Sequence, residues 1–201
     1  MIGTRYSTAE NPIGSLAQRV NFQRLLGARG PIATMAGVAI AAALLIALGK
    51  AFGVLISSTD SAAHAGLYRI VSGRFQRGAL VAACLPVAIA LQGLKQGYLR
   101  TGGCPGNAEP VGKVVGALPS DMVEIEPGWI AVNGVRFSRS GVAAHDSAGR
   151  LLPHVAWGGH QVAAGQVWLF GFNDSRSWDS RYFGPVPLAS VRGEIKPVFT
   201  W

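Results

Sequence analysis

Apolar and polar positions along the chain fall into three textures. Residues 32–49 run without a charged side chain, and after Lys50 a further apolar stretch covers 51–56. At about 1.5 Å rise per helical residue this run crosses the roughly 30 Å of a bilayer's hydrocarbon core. The pattern therefore predicts a membrane-spanning helix over 32–56, with Pro31 tolerated in its first turn. A second apolar segment, 79–94, is interrupted by Pro86 and Gln92; too short and broken to span, it reads as a buried or membrane-skimming element. Beyond Gly97 short runs of β-branched and aromatic residues, cut by glycine and proline, occupy 113–117, 122–125, 129–132, 161–162, 167–172 and 191–197. Such spacing predicts a mostly β domain, barrel-like or sandwiched. Asn133-Gly134, between two apolar runs, marks its strongest hairpin.

Charge orients the predicted helix. Residues 1–31 hold Arg5, Arg19, Arg24 and Arg29 against Glu10, a net of +3, which by the positive-inside bias leaves the N-terminus in the cytoplasm. The expected organisation is a cytoplasmic segment 1–31, a transmembrane anchor 32–56 and a periplasmic domain 57–201, in a bacterial inner membrane crossed once. A cleaved secretory signal is the alternative, with Ala63-His64-Ala65 supplying small residues, but the apolar core exceeds the ~7–15 residues of a typical signal. Although the whole chain carries +8, residues 57–201 hold thirteen Lys or Arg against nine Asp or Glu without a basic cluster, so nucleic acid is not an expected partner.

Cys84 and Cys104 enclose nineteen residues. In an oxidising compartment such a pair favours a disulfide, with two unrelated thiols as the alternative. His64, His145, His154 and His160 lack metal-ligand spacing, no carboxylate pair suits glycosidase chemistry, and no phosphate-binding loop occurs. Neither metal nor cofactor is expected.

Three polar segments remain. Residues 58–68, Ser-Thr-Asp-Ser-Ala-Ala-His-Ala-Gly-Leu-Tyr, lie just outside the predicted anchor; alone they are a linker. Lys113 opens the apolar strand 113–117, where a lysine usually snorkels to water but, if buried, loses affinity for its proton and becomes a usable base. Residues 173–184, Asn-Asp-Ser-Arg-Ser-Trp-Asp-Ser-Arg-Tyr-Phe-Gly, crowd polar groups into what would otherwise be a surface loop.

Together these segments resemble the serine-lysine signal peptidases of the type I family, and most closely the TraF-type conjugative-transfer branch. The resemblance covers roughly residues 55–201. It is carried by Ser177-x-Asp179-Ser180-Arg181-Tyr182-Phe183-Gly184, then by Lys113 with its following apolar residues and by Val132-Asn133-Gly134. Cys84-Leu85-Pro86, Gly97-Tyr98-Leu99 and Cys104-Pro105-Gly106 are similar to the TraF branch in particular.

Position by position, the resemblance implies that Ser61 is the nucleophile and Lys113 its general base, a desolvated amine standing where other hydrolases use histidine. It implies that Thr59 joins the Ser61 backbone N–H in stabilising the oxyanion, that Ser177 hydrogen-bonds the lysine amine, and that Asp179 and Arg181 pair to support the dyad. Two positions depart from the family pattern: Ala62-Ala63 follow Ser61, leaving Ser57 and Ser58 as competing hydroxyls, and Ser120-Asp121 stands after the lysine strand. The implied fold is a mainly β, signal-peptidase-like (LexA-like) domain behind an N-terminal transmembrane helix. The implied function is a membrane-anchored serine endopeptidase that matures a conjugative pilin precursor, by hydrolysis or with cyclisation, for a type IV secretion system. Expected partners are that precursor or another signal-peptide-bearing substrate, inner-membrane lipid and the conjugative transfer machinery. A general type I signal peptidase and a non-catalytic periplasmic scaffold for pilus assembly are the competing readings. A LexA-like self-cleaving regulator is disfavoured by the anchor.

Overall fold

Antiparallel strand pairing frames the described β region of this protein. The computed structural model describes residues 29–51, 54–57 and 61–201, and the chain divides into two compact units, 1–46 and 47–201. The predicted apolar run is split. Helix α1 (Arg29–Ala51) ends before the run does, and Val54–Ser57 forms strand β1, paired with β2 (Gly66–Val71) from Val54↔Arg69 to Ser57↔Gly66. The expectation of one helix to residue 56 is corrected accordingly: Val54, Leu55 and Ile56 are β-formers with a partner strand to complete their hydrogen bonds. The side chains of α1 are described for 33–49, and those of Met35, Val38, Ile40, Leu44, Leu45, Ile46 and Leu48 are exposed. Among the described residues no helix is long and apolar enough to cross a membrane.

The apolar segment 79–94 is likewise two elements, β3 (Leu80–Ala83) and helix α2 (Val87–Gln96), divided at Pro86. Pro86 takes the cap position with φ −51° and ψ 144°, where its lack of an N–H does no harm. At the other end Gly97 closes α2 in the left-handed conformation, φ 76°, a common helix stop. The disulfide Cys84–Cys104, Cα atoms 5.4 Å apart, ties the residue after β3 to the short 3₁₀ turn Pro105–Asn107.

The remaining strands are β4 (Val111–Ala117), β5 (Met122–Glu126), β6 (Trp129–Val132), β7 (Val135–Arg136), β8 (Gly158–Gln161), β9 (Gln166–Phe170), β10 (Val186–Pro187) and β11 (Val191–Thr200), with a short helix α3 (Ser180–Phe183). They form a seven-stranded sheet, β1-β2-β11-β3-β4-β9-β10, and a four-stranded sheet, β7-β6-β5-β8. The Asn133-Gly134 hairpin joins β6 to β7 with φ of 51° and 78°, the two positive values a primed turn demands.

Strand β9 explains how the sheets share a core. Its odd positions, Val167 and Leu169, pack with Val81, Val111, Val115 and Tyr182. Its even positions, Trp168 and Phe170, pack with Val123, Ile125, Ile130 and Val132 of the smaller sheet. Burial on both faces accounts for a run without polar alternation. Strand β4 lies between β3 and β9 and does alternate: Val111, Lys113 and Val115 are buried while Gly112 and Val114 are half-buried. Period-two geometry thus sends a lysine inward with two valines.

Candidate active site

Lys113 sits mid-strand, opposite Val81 of β3, and only 5% of it is exposed. Its Nζ donates a hydrogen bond to Ser177 Oγ at 2.5 Å. Burial pulls its pKa down from 10.5 to about 8, partly opposed by the Asp179 carboxylate, reinforced by the Arg181 guanidinium and opposed again by Asp174. Such an amine is about one-tenth neutral at pH 7 and half neutral near pH 8, and in that form can accept a proton.

The loop carrying Ser177 is fixed by a fully buried ion pair. Asp179 caps α3 through the Arg181 N–H, accepts Arg181 Nε at 2.9 Å and a terminal guanidinium nitrogen at 2.6 Å, and accepts the Gly171 N–H at 2.8 Å. Arg181 also donates to the carbonyls of Gly141, Gly171 and Asp174. Every strong donor has an acceptor, so the two buried charges are compensated. Ser180 accepts the Leu169 N–H, which fastens α3 to β9.

Ser61 meets this loop through its backbone. Its carbonyl accepts the Asn173 N–H at 3.0 Å, and its side chain is half-buried. Thr59 lies outside the described residues. The joint between the Ser61 segment and the lysine's partner is Gly171, which the sequence reading passed over. A Cβ there would stand 2.2 Å from Ser177 Oγ and 2.9 Å from the Ser61 carbonyl oxygen. Its signal in the sequence is a glycine directly after an unbroken apolar strand, a place where another backbone often approaches closely. Gly171→Ala is expected to push Ser177 from the amine at an overpacking cost of about 1–3 kcal/mol, lowering activity far more than it lowers folding yield; kinetics on purified protein would check this.

The structure therefore gathers Lys113, Ser177, Asp179, Arg181 and the backbone of Ser61 around one point. Cys84 and Cys104 lie apart from them, at the base of α2. Among the described residues no group of His, Cys, Asp or Glu could hold a metal ion.

The family model described as signal peptidase, peptidase S26, matches residues 29–201. The chain is 35% identical over 163 residues to plasmid transfer protein TraF of Escherichia coli, covering 81% of this chain and 91% of that one. It is 36% identical over 170 residues to conjugal transfer protein TraF of Agrobacterium fabrum (strain C58 / ATCC 33970), covering 83% and 93%. Among solved structures, a signal peptidase I from Enterococcus faecalis V583 aligns with 63% of this chain and 100% of its own, at 24% identity and a TM-score of 0.37.

Proposed function

Because this chain belongs to the signal peptidase, peptidase S26, family, we propose that it is a membrane-anchored serine endopeptidase that matures a conjugative pilin precursor for a type IV secretion apparatus. The observation that carries this reading is the buried Lys113 amine, bonded to Ser177 in a loop that also docks the Ser61 segment. A scaffold without catalysis has no use for a desolvated lysine, which costs stability at neutral pH.

In the proposed reaction the neutral Lys113 amine takes the Ser61 hydroxyl proton as Oγ attacks the scissile carbonyl. The Ser61 N–H and the Thr59 hydroxyl receive the developing oxyanion, worth about 2.7–4 kcal/mol per donor. The Lys113 ammonium then protonates the leaving amine, and an acyl-enzyme remains on Ser61. Water releases it as an acid, or the N-terminal amine of the pilin releases it as a ring. Ser177 and the Asp179–Arg181 pair keep the amine in place and do not themselves transfer the proton.

The anchor belongs to the same proposal. The uncharged run 32–49 and the exposed apolar side chains of α1 support a helix clothed by lipid. Arginines on its N-terminal side support a cytoplasmic start and a periplasmic catalytic domain. Ser61, ten residues beyond the end of α1, would then work near the bilayer, where a precursor's cleavage site emerges. The conjugal and plasmid transfer names of the relatives support a role in conjugal transfer, within which a pilin precursor is the proposed substrate.

The test is precursor cleavage followed across pH. The rate is expected to rise with pH and reach half its plateau near pH 8, because only the neutral amine accepts the proton. Mass spectrometry of the product separates the two outcomes, since a cyclised pilin lacks one water. A rate independent of pH from about 6 to about 10 would remove Lys113 from the base's role.

A further inference from the structure

Outside the dyad and its ion pair, a polar cluster gathers on a buried carboxylate in the segment that follows β7, with Tyr98 half-buried and Arg150 exposed beside it. Asp146 is 8% exposed. It accepts the Tyr98 hydroxyl at 2.6 Å, the backbone N–H groups of Ala148 and Arg150 at 2.9 Å each, and Arg150 Nε at 2.7 Å. Arg150 also donates to the Gln96 carbonyl at 2.8 Å, one of the last carbonyls of α2, which the helix itself leaves unpaired. The end of α2 is thus held twice, through Tyr98 and through Gln96, and the disulfide pins its base.

What this cluster holds is the residue beside Ser177. Trp178 is 7% exposed, and its Nε1 has no hydrogen-bond partner among the described residues, so ring packing alone sets its position. Tyr98 lies against it with centroids 5.2 Å apart, and Tyr182 and Phe183 complete the cage. Gly93 of α2 admits the indole: a Cβ there would stand 3.1 Å from Trp178 Nε1. The segment that bears Asp146 also reaches the catalytic loop directly, since the Ala143 N–H donates to the Tyr182 hydroxyl and the Gly141 carbonyl accepts from Arg181.

We propose that Tyr98, Asp146 and Arg150 are positioning residues for the serine-lysine reaction: by clamping the end of α2 against Trp178 they keep the Ser177 hydroxyl seated on the Lys113 amine and water out of the lysine's site. The proposal rests on the reading of Lys113 as the base. Its physical link is short. Trp178 adjoins Ser177 in the chain, and Tyr98, just past the end of α2, packs on its indole, as Gly93 of α2 does. On this proposal an opening there admits water to Lys113 and lets its affinity for a proton climb toward the ordinary value, with Asp179, Arg181 and Asp174 the charges that face it. The clamp itself does not titrate in that window. The Tyr98 hydroxyl bond, with those from Arg150 and the backbone, holds the Asp146 carboxyl well below the usual carboxylate range, and burial with that carboxylate pushes the Tyr98 phenol up.

The test uses the full-length chain in detergent with Tyr98→Phe, which removes one oxygen and keeps the ring, and separately Asp146→Asn. The proton affinity of Lys113 is read without substrate, from its rate of arylation by fluorodinitrobenzene against pH, with peptide mapping. The expected result is a midpoint about one pH unit above that of the wild type in either variant. Cleavage at about pH 7.5 then runs roughly eightfold slower and recovers near pH 10, because the neutral fraction falls by that factor. A merely structural role would lower the plateau and leave the midpoint in place. Midpoints equal to the wild type's in both variants would overturn the clamp. A wild-type midpoint at the ordinary 10.5 would instead overturn the reading of Lys113 as the base, so the two failures are distinct.

Discussion

Methionine in place of Lys113 is expected to abolish precursor cleavage and, at neutral pH, to make the folded protein more stable. Loss of the base costs at least roughly 10³-fold in rate, because an unassisted serine hydroxyl is a weak nucleophile. The gain in stability follows from linkage. The lysine's pKa is about 8 when folded against 10.5 ordinarily, so the unfolded chain binds its proton more tightly. Below about pH 8 the penalty is fully present, on the order of 3 kcal/mol, and it fades as pH rises toward 10.5. Methionine fills similar volume without charge and forfeits the hydrogen bond to Ser177, about 1 kcal/mol. The net gain at pH 7 is therefore roughly 2 kcal/mol, readable by urea denaturation; it should vanish near pH 10 and reverse sign by about pH 11, where only the lost hydrogen bond remains. A variant less stable than wild type at pH 7 would mean that Lys113 is not desolvated, and the general-base assignment would lose its physical support.

Asp179→Ala is the opposite case, expected to damage the fold and the activity together. Both members of the pair are fully buried, and removing the carboxylate strands the Arg181 guanidinium with three carbonyls but no counter-charge. Breaking such a pair from one side costs about 3–5 kcal/mol. The Gly171 N–H loses its acceptor as well, at the close approach where the Ser61 carbonyl and Ser177 both lie against the Gly171 backbone. Urea denaturation should show the loss, and any protein that stays folded should cleave slowly. A full-strength enzyme with unchanged stability would remove the loop's assigned role.

These two substitutions mark where the sequence was readable and where it was not. The β domain announced itself through short β-branched runs and the Asn133-Gly134 turn, because period-two patterning and turn chemistry are local properties of the chain. The long apolar stretch was legible as apolar but not as one element. That Val54–Ser57 would leave the helix for a sheet depended on β2 being present as a partner, and the break of 79–94 at Pro86 was visible while the strand before it was not. Ser177, Asp179 and Arg181 were found through a dense polar box that resembles a family pattern. Gly171 escaped because its role is to be empty, and a missing side chain has no pattern of its own. The Asp146 clamp escaped because Tyr98 and Asp146 are 48 residues apart, with neither in a motif.

By itself the sequence determined the chemistry available: one lysine in an apolar strand, serines just beyond an apolar run, an acid and a base two residues apart in a tight loop. Only the tertiary structure decided whether that lysine would meet water or Ser177. Its desolvation is supplied by β3, β9 and the loop after β9 together, and a pKa is set by everything within a few ångströms in space, whatever the separation along the chain.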